Sequence, residues 1–280
     1  MVRLVREKPL GAFGGVLVLL VIVAAALAGV ISPYPRDEMH IIDKLQPPSA
    51  KYLMGTDHFG RDLFTRILYG AQTSIIVGFG VVLFGTTTAT VMSLVSGYFG
   101  GLFDTLFQRI VDAVMALPGL VLLLTIMSIL GPGLPNVILA LSLTGAFTQS
   151  RTIRSAVLST KENQYIDAAR AMGAGSIRIL LVHILPNVFA PIIIIATAAL
   201  GAAILAEASL SFLGFGVVEP IPSWGRMLSQ DARFFMVEAP WMAIFPGIAL
   251  SMAIFGFNML GDGLRDVLDP RLRGGGGRIR

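Results

Sequence analysis

Few residues in this chain of 280 have the types and spacing that chemistry requires. Glu207 is the one ionisable side chain placed well inside an apolar run, in LAEASLSF, with Ser209 and Ser211 close by. A carboxyl in that setting either lines a water-filled path or is tied to hydroxyls at a helix interface. The small residues around it favour the packing role over the path. His40, His58 and His183 lie far apart without ligand-like spacing, so no metal site is expected. There is no cysteine, which excludes thiol chemistry and disulfides. No GxxxxGK[ST] loop occurs, so the chain carries no Walker-type ATP site and no cofactor of its own is expected. No nucleophile–base or metal cluster falls within the apolar runs, which argues against an intramembrane enzyme.

What remains is a surface that can recognise another surface: ENQYIDAARAMGAGSIRILLVHILPN, residues 162–187. Tyr165, Ala168, Ala169 and Met172 recur at i, i+3, i+4 and i+7, one face of a helix. The two alanines at its centre let a partner approach closely, and Asp167 and Arg170 flank them. Gly173 and Gly175 are expected to stop this helix in left-handed geometry. Ser176 is then expected to cap a second helix carrying Ile177, Leu180, Leu181 and Ile184, and Pro186 to mark a bend back toward the bilayer. Periodicity alone leaves two readings, a solvated hairpin without a partner and a docking element.

The elements that position these residues are membrane helices. The chain is 55% hydrophobic and 14% charged, with mean hydropathy +0.78, against about 25% charged in soluble domains. The apolar run from Leu10 to Ile31 is about 22 residues, longer than the roughly 7–15 of a signal-peptide core, and reads as a retained span. Six spans are expected near 10–31, 72–97, 113–131, 135–150, 188–212 and 243–263, the third and fourth joined by GPGLPN. This divides the chain into an N-terminal span and outer loop (1–71), a transport core (72–264) holding the hairpin loop 151–187, and a tail (265–280). The N-terminus, the loop 98–112, the hairpin loop and the tail hold 14 of the 21 Lys and Arg. The positive-inside rule therefore places both termini and the hairpin in the cytoplasm, and the net charge of +4 concerns topology rather than nucleic acid. Trp224 and Trp241 are expected as interface anchors, and the threonines of 86–90 as intrahelical hydrogen-bonders.

The first outer loop carries MGTDHFGRDLFTRILYGAQTSIIVG. Asp57 is expected to cap a helix with Leu63, Phe64, Ile67 and Leu68 on one face, and Asp57–Arg61 and Asp62–Arg66 to pair along it. It is either a solvated face or a helix lying at the outer membrane surface that feeds the second span.

YIDAARAMGAGSIRILLVHILPN resembles the EAA motif of ABC importer permeases. Asp167, Ala168, Ala169 and Gly173 match its first half, with aspartate in place of glutamate, and Ile184, Leu185 and Pro186 match its second. The outer-loop residues Gly55, Thr56, Asp57, Gly60, Arg61 and Asp62, the run AEASLSFLGFG and the tail GDGLRDVLDPRLR are similar to dipeptide and oligopeptide permeases, in particular the second, C-type subunit. That resemblance implies an all-α polytopic protein of the type I importer (MetI-like) fold in a prokaryotic inner membrane. It implies a sister permease, two cytoplasmic ATPases that use ATP and Mg, and an extracytoplasmic solute-binding protein as partners. Tyr165–Gly173 would be the helix that enters the ATPase. A stand-alone ion-coupled transporter is the rival reading. It would need intramembrane ionisable groups, and Glu207 alone is thin support for it.

Overall fold

The computed structural model describes residues 9–268. The basic residues Arg3, Arg6 and Lys8, and the end of the tail with its glycines 274–277, lie outside the described residues. The principal helices are α1 (Pro9–Ala26), α2 (Leu63–Phe99), α3 (Gly101–Met115), α4 (Gly119–Leu130), α5 (Leu134–Lys161), α6 (Gln164–Ala171), α7 (Ser176–Phe212) and α8 (Trp241–Leu268). The described residues form no strand. Helices α1, α2, α7 and α8 are long and apolar enough to cross a membrane, and the bent pair α3–α4 counts as a fifth if it is one span.

Several boundaries differ from those read in the sequence, each for a local reason. Asp57 does not cap the outer-loop helix. Asp62 does, accepting from the Thr65 N–H at 2.8 Å, and the helix runs on without a break as α2. At about 1.5 Å per residue its 37 residues reach about 55 Å, well beyond the bilayer core. The expected third span, 113–131, falls on the end of α3 and the 12-residue α4, which are turned 93° from one another at the break around Pro118. Proline disfavours helical geometry at the residue before it, here Leu117. The segment expected as the fourth span, 135–150, is the first half of α5, which is not among the helices apolar enough to cross by composition and continues to Lys161, forming the first arm of the hairpin. Ser176 is not a cap. Gly175 holds that position, and at φ −69° it is not left-handed. Pro186 does not bend the chain out of helix, because α7 passes through it. A π-helical stretch, Ile179–Ile184, widens the turn just before it, where a missing N–H is most easily accommodated. Asn187 Nδ2 also donates to the His183 carbonyl at 2.6 Å.

Lipid offers no hydrophobic reason for helices to associate, so close packing and interhelical hydrogen bonds must do it. Two pairs show this. In α1 and α8, a Cβ on Gly14 would stand 2.6 Å from Met259 Cβ, and one on Gly256 would stand 2.9 Å from Leu17 Cβ. In α2 and α5, a Cβ on Gly85 would meet the Ser142 carbonyl at 3.1 Å, and one on Gly97 would meet Val157 at 2.8 Å. Ser93 Oγ reaches the Ser150 carbonyl at 2.8 Å, and Thr86 Oγ1 donates to Gln149 Oε1 at 2.8 Å. Of the threonine run, Thr90 bonds the carbonyl four residues back, at 2.7 Å, as expected, whereas Thr86 bridges helices. Helix α7 packs against α2, α5 and α8.

The connections gather at two ends. The segments after α1, α4 and α7 meet at one: Gly133 N–H donates to the Gly216 carbonyl at 3.0 Å, and Arg61 Nη1 donates to Glu219 Oε2 at 3.4 Å. Helices α3 and α6 lie at the other. Asp104 and Asp112 of α3 are paired there with Arg154 and Arg151 of α5, while Leu102, Phe103, Leu106 and Ile110 of α3 stay exposed.

Gly85→Leu should force α2 and α5 apart at a cost of about 1–3 kcal/mol, lowering the melting temperature of the detergent-purified protein. Gly119→Ala, where a Cβ meets nothing within 4 Å, should leave it unchanged.

Candidate functional site

Helix α6 is only eight residues long and is held by its two ends rather than by its own propensity. It follows α5 after two residues. At its far end Gly173 takes φ +81°, its N–H donates to the Arg170 carbonyl at 2.9 Å, and the Ala174 N–H donates to the Ala169 carbonyl at 3.0 Å. This is the paired closure that a left-handed glycine permits. Ile166 is fully buried in the cluster that includes Tyr98, Val157, Ile179 and Ile184. Tyr165, Asp167, Ala168, Arg170 and Met172 are exposed, Met172 at 82%.

One residue departs from the face read in the sequence. Ala169 is 2% exposed and faces the protein, so the open face is built on Tyr165, Ala168 and Met172. On an eight-residue helix, positions i+3 and i+4 lie on either side of the i direction, and periodicity alone does not say which of the two turns inward. Farther along, Ile184 is buried, Leu185 half-buried and Pro186 exposed, all within α7 and apart from the open face of α6.

Around the start of α6, contacts join three helix ends. Lys161 Nζ, from the last residue of α5, donates to the Tyr98 carbonyl at 2.6 Å and lies 3.4 Å from the Gly97 carbonyl, both in the last turn of α2. Arg170 of α6 lies over the Tyr98 ring, 5.5 Å from its centroid, and pairs with Asp167 at 3.3 Å. Sequence reasoning passed over Tyr98 and Lys161, because nothing in the local pattern links positions so far apart in the chain.

Glu207 is fully buried in α7. Its Oε1 accepts from Ser211 Oγ at 2.6 Å and from Ser223 Oγ at 2.8 Å, and Oε2 has no protein partner among the described residues. Ser211 Oγ accepts from the Val217 N–H at 3.1 Å, and Ser223 caps the short helix Trp224–Met227. Gly225 of that helix packs so near Ala208 that a Cβ would overlap its backbone. The carboxylate thus ties α7 to the loop that follows it. Ser209 takes no part, donating instead to the Leu205 carbonyl at 2.8 Å. Ser223 is the partner the sequence did not reveal, lying beyond an irregular loop.

The outer-loop signature is a buried polar knot rather than a solvated helical face. Asp57, Arg61, Asp62 and Arg66 are each at most 4% exposed. Arg61 Nε bonds Asp57 Oδ2 at 2.6 Å, and its Nη1 faces Glu219 at 3.4 Å, across from the loop after α7. Arg66 does not pair with Asp62; it lies 3.8 Å from Asp57 and 4.0 Å from Glu219. Burial works to lower the Arg61 pKa, but the charges and hydrogen bonds of Asp57 and Glu219 outweigh it, so the net direction is upward. Burial pushes the Asp62 carboxyl up against the hydrogen bonds from Thr65 and Phe64. Gly55 and Gly60 have φ near +79° and +75°. A Cβ on Gly55 would stand 2.8 Å from the Trp241 ring, and one on Gly60 would overlap the His40 backbone. Thr56 Oγ1 accepts from the Gln46 N–H at 2.8 Å. Both tryptophans are fixed by hydrogen bonds inside the protein, and Trp224 is buried where an interface anchor would be exposed. Trp224 is 2% exposed and its Nε1 donates to the Ile67 carbonyl at 3.1 Å, while Trp241 Nε1 donates to the Thr56 carbonyl at 3.1 Å.

Residues 60–274 match the family described as binding-protein-dependent transport system inner membrane component. The chain belongs to that family. Residues 1–48 match the N-terminal transmembrane domain of oligopeptide transport permease C. The dipeptide transport system permease protein DppC of Alkalihalophilus pseudofirmus is 43% identical over 96% of this chain and 88% of its own length. The glutathione transport system permease protein GsiD of Escherichia coli is 40% identical over 97% of this chain and 90% of its own. An inward-facing structure of the MetNI methionine ABC transporter superposes with a TM-score of 0.55 at 18% identity, covering 74% of this chain and 96% of that one, a likeness of fold. The protein is therefore an ABC importer permease subunit, integral to the inner membrane, and ATP hydrolysis resides in a separate subunit.

Glu207→Ala should strand the Ser211 and Ser223 hydroxyls at a cost of about 1–3 kcal/mol and reduce the yield of folded permease. Glu207→Gln, which keeps an acceptor in place, should purify close to wild-type yield. Normal yield of both variants together with lost transport would instead assign Glu207 to the solute path.

Proposed function

We propose that this permease forms one half of an ATP-driven import path for peptides, and that the open face of α6 is where a cytoplasmic ATPase docks. The observation that carries the docking reading is the construction of α6. Its Ile166 and Ala169 are spent on the protein's own core, its end is closed by Gly173, and Tyr165, Ala168 and Met172 are left uncovered beside the charges of Asp167 and Arg170. Ala168 offers no side chain beyond Cβ, which suits close approach by a partner's groove. The peptide class rests on the names of the relatives, dipeptide and glutathione permeases. A sister permease would complete the path, two ATPases would drive it, and an external solute-binding protein would supply the solute.

The same proposal includes six crossings with both termini in the cytoplasm, by α1, α2, α4, α5, α7 and α8. The grouping of loops supports it. Segments after α1 and α4 each hydrogen-bond the segment after α7 at one end, through Arg61–Glu219 and Gly133–Gly216, whereas α3 and α6, following α2 and α5, lie at the other, as alternate crossings require. The basic asymmetry places α6 inside. In this reading Glu207 holds α7 to its following loop, and the outer knot keeps the external surface rigid.

Ala168→Trp should block the docking face by overpacking, worth about 1–3 kcal/mol, or roughly fivefold to more than a hundredfold in ATPase affinity. Membrane abundance should be normal and ATPase pull-down lost. Wild-type pull-down would remove the docking assignment. In a second test, Met172→Cys should react with an impermeant maleimide only after cells are permeabilised. Labelling from outside intact cells would contradict the orientation.

A further inference from the structure

We propose that Tyr98 and Lys161 are positioning residues that clamp α6 to the end of α2, so that movement of α6 is passed to α2. The proposal rests on the docking reading of α6 and names the contact through which docking would reach the transport core.

Four observations meet at this point. The last turn of α2 ends at Phe99 and leaves carbonyls without helical partners. Lys161 takes two of them, Tyr98 at 2.6 Å and Gly97 at 3.4 Å, and puts a cation where the helix dipole is negative. The Tyr98 ring is 8% exposed and belongs to the cluster that buries Ile166 of α6. On that ring lies the Arg170 guanidinium, 5.5 Å from the centroid, with Lys161 Nζ 5.8 Å from it. One tyrosine thus receives α5 through its carbonyl and α6 through its ring. Gly97 lets the two helices close: a Cβ there would stand 2.8 Å from Val157 of α5.

What makes the clamp consequential is the helix behind it. Helix α2 is continuous from Phe99 back to its cap at Asp62, and Arg66, in its first turns, sits in the outer knot with Asp57 and Glu219. A displacement taken up at Tyr98 is carried along one unbroken element to the opposite end of the protein. Without the ring and the lysine, α6 would keep its connections to α5 and α7 and lose its hold on α2.

The test uses the complete transporter, reconstituted with its ATPases and solute-binding protein and normalised for bound ATPase. The readout is the ratio of solute-stimulated to basal hydrolysis. Tyr98→Ala should lower that ratio at least about fivefold, the low end of coupling between sites. Tyr98→Phe, which keeps the ring and the backbone carbonyl, should restore it. Lys161→Met removes the ammonium without emptying the core and should lower the ratio even if Tyr98→Ala does not assemble. Wild-type stimulation in Lys161→Met, or a Tyr98→Phe variant as uncoupled as Tyr98→Ala, would overturn the clamp. ATPase pull-down with Ala168→Trp stays a separate readout. If docking is lost there while Lys161→Met couples normally, the clamp alone fails; if docking persists there, the reading beneath it fails.

Discussion

The close approach of α2 and α5 sets the geometry of the end that carries α6. Gly85 and Gly97 bring the helices near enough for Ser93 to reach the Ser150 carbonyl and Thr86 to reach Gln149. In a bilayer no water competes for such bonds, and small residues are what permit them. Because α5 runs on past this contact to Lys161, its end is delivered to the last turn of α2. Helix α6 starts from that junction. Its position follows from the two helices beneath it, and eight residues without that support would not hold a helix.

At the opposite end the constraint is electrostatic. Arg61, Arg66, Asp57 and Glu219 are gathered from two loops and the start of α2, and all but Glu219 are almost fully buried. Removing one partner of such a group leaves an uncompensated buried charge, typically a loss of about 3–5 kcal/mol. Glu207 with Ser211 and Ser223, and Trp224 with the Ile67 carbonyl, fasten the same loops to α7 and α2. These loops are thereby tied to the ends of two long helices, one of which reaches the end that carries α6.

The helical class, the long apolar helices and the existence of α6 were legible because each is a local pattern, in hydropathy or in 3.6-residue period. Gly173 as a stop was legible for the same reason. What the sequence hid depends on contacts between distant segments. Asp57, Arg61, Asp62 and Arg66 have the spacing of surface helical pairs, yet Glu219 and the loop after α7 cover them. Trp224 and Trp241 have the positions of membrane anchors in the sequence, yet one donates to the Ile67 carbonyl of α2 and the other to the Thr56 carbonyl of the loop after α1. Ala168 and Ala169 are equivalent in composition, and only the cluster around Ile166 decides that Ala169 faces inward. Pro186 suggests a bend, but a widened turn ahead of it keeps α7 whole.

The central claim is that the open face of α6 meets an ATPase. The most direct measurement places a photoreactive amino acid at Tyr165, on that face, in membranes holding the whole transporter, and asks which protein is captured on irradiation. The account predicts an adduct with the ATPase subunit. The same probe at Ile166, on the buried face, should give none. Equal capture from both positions, or no ATPase adduct from Tyr165, would contradict it.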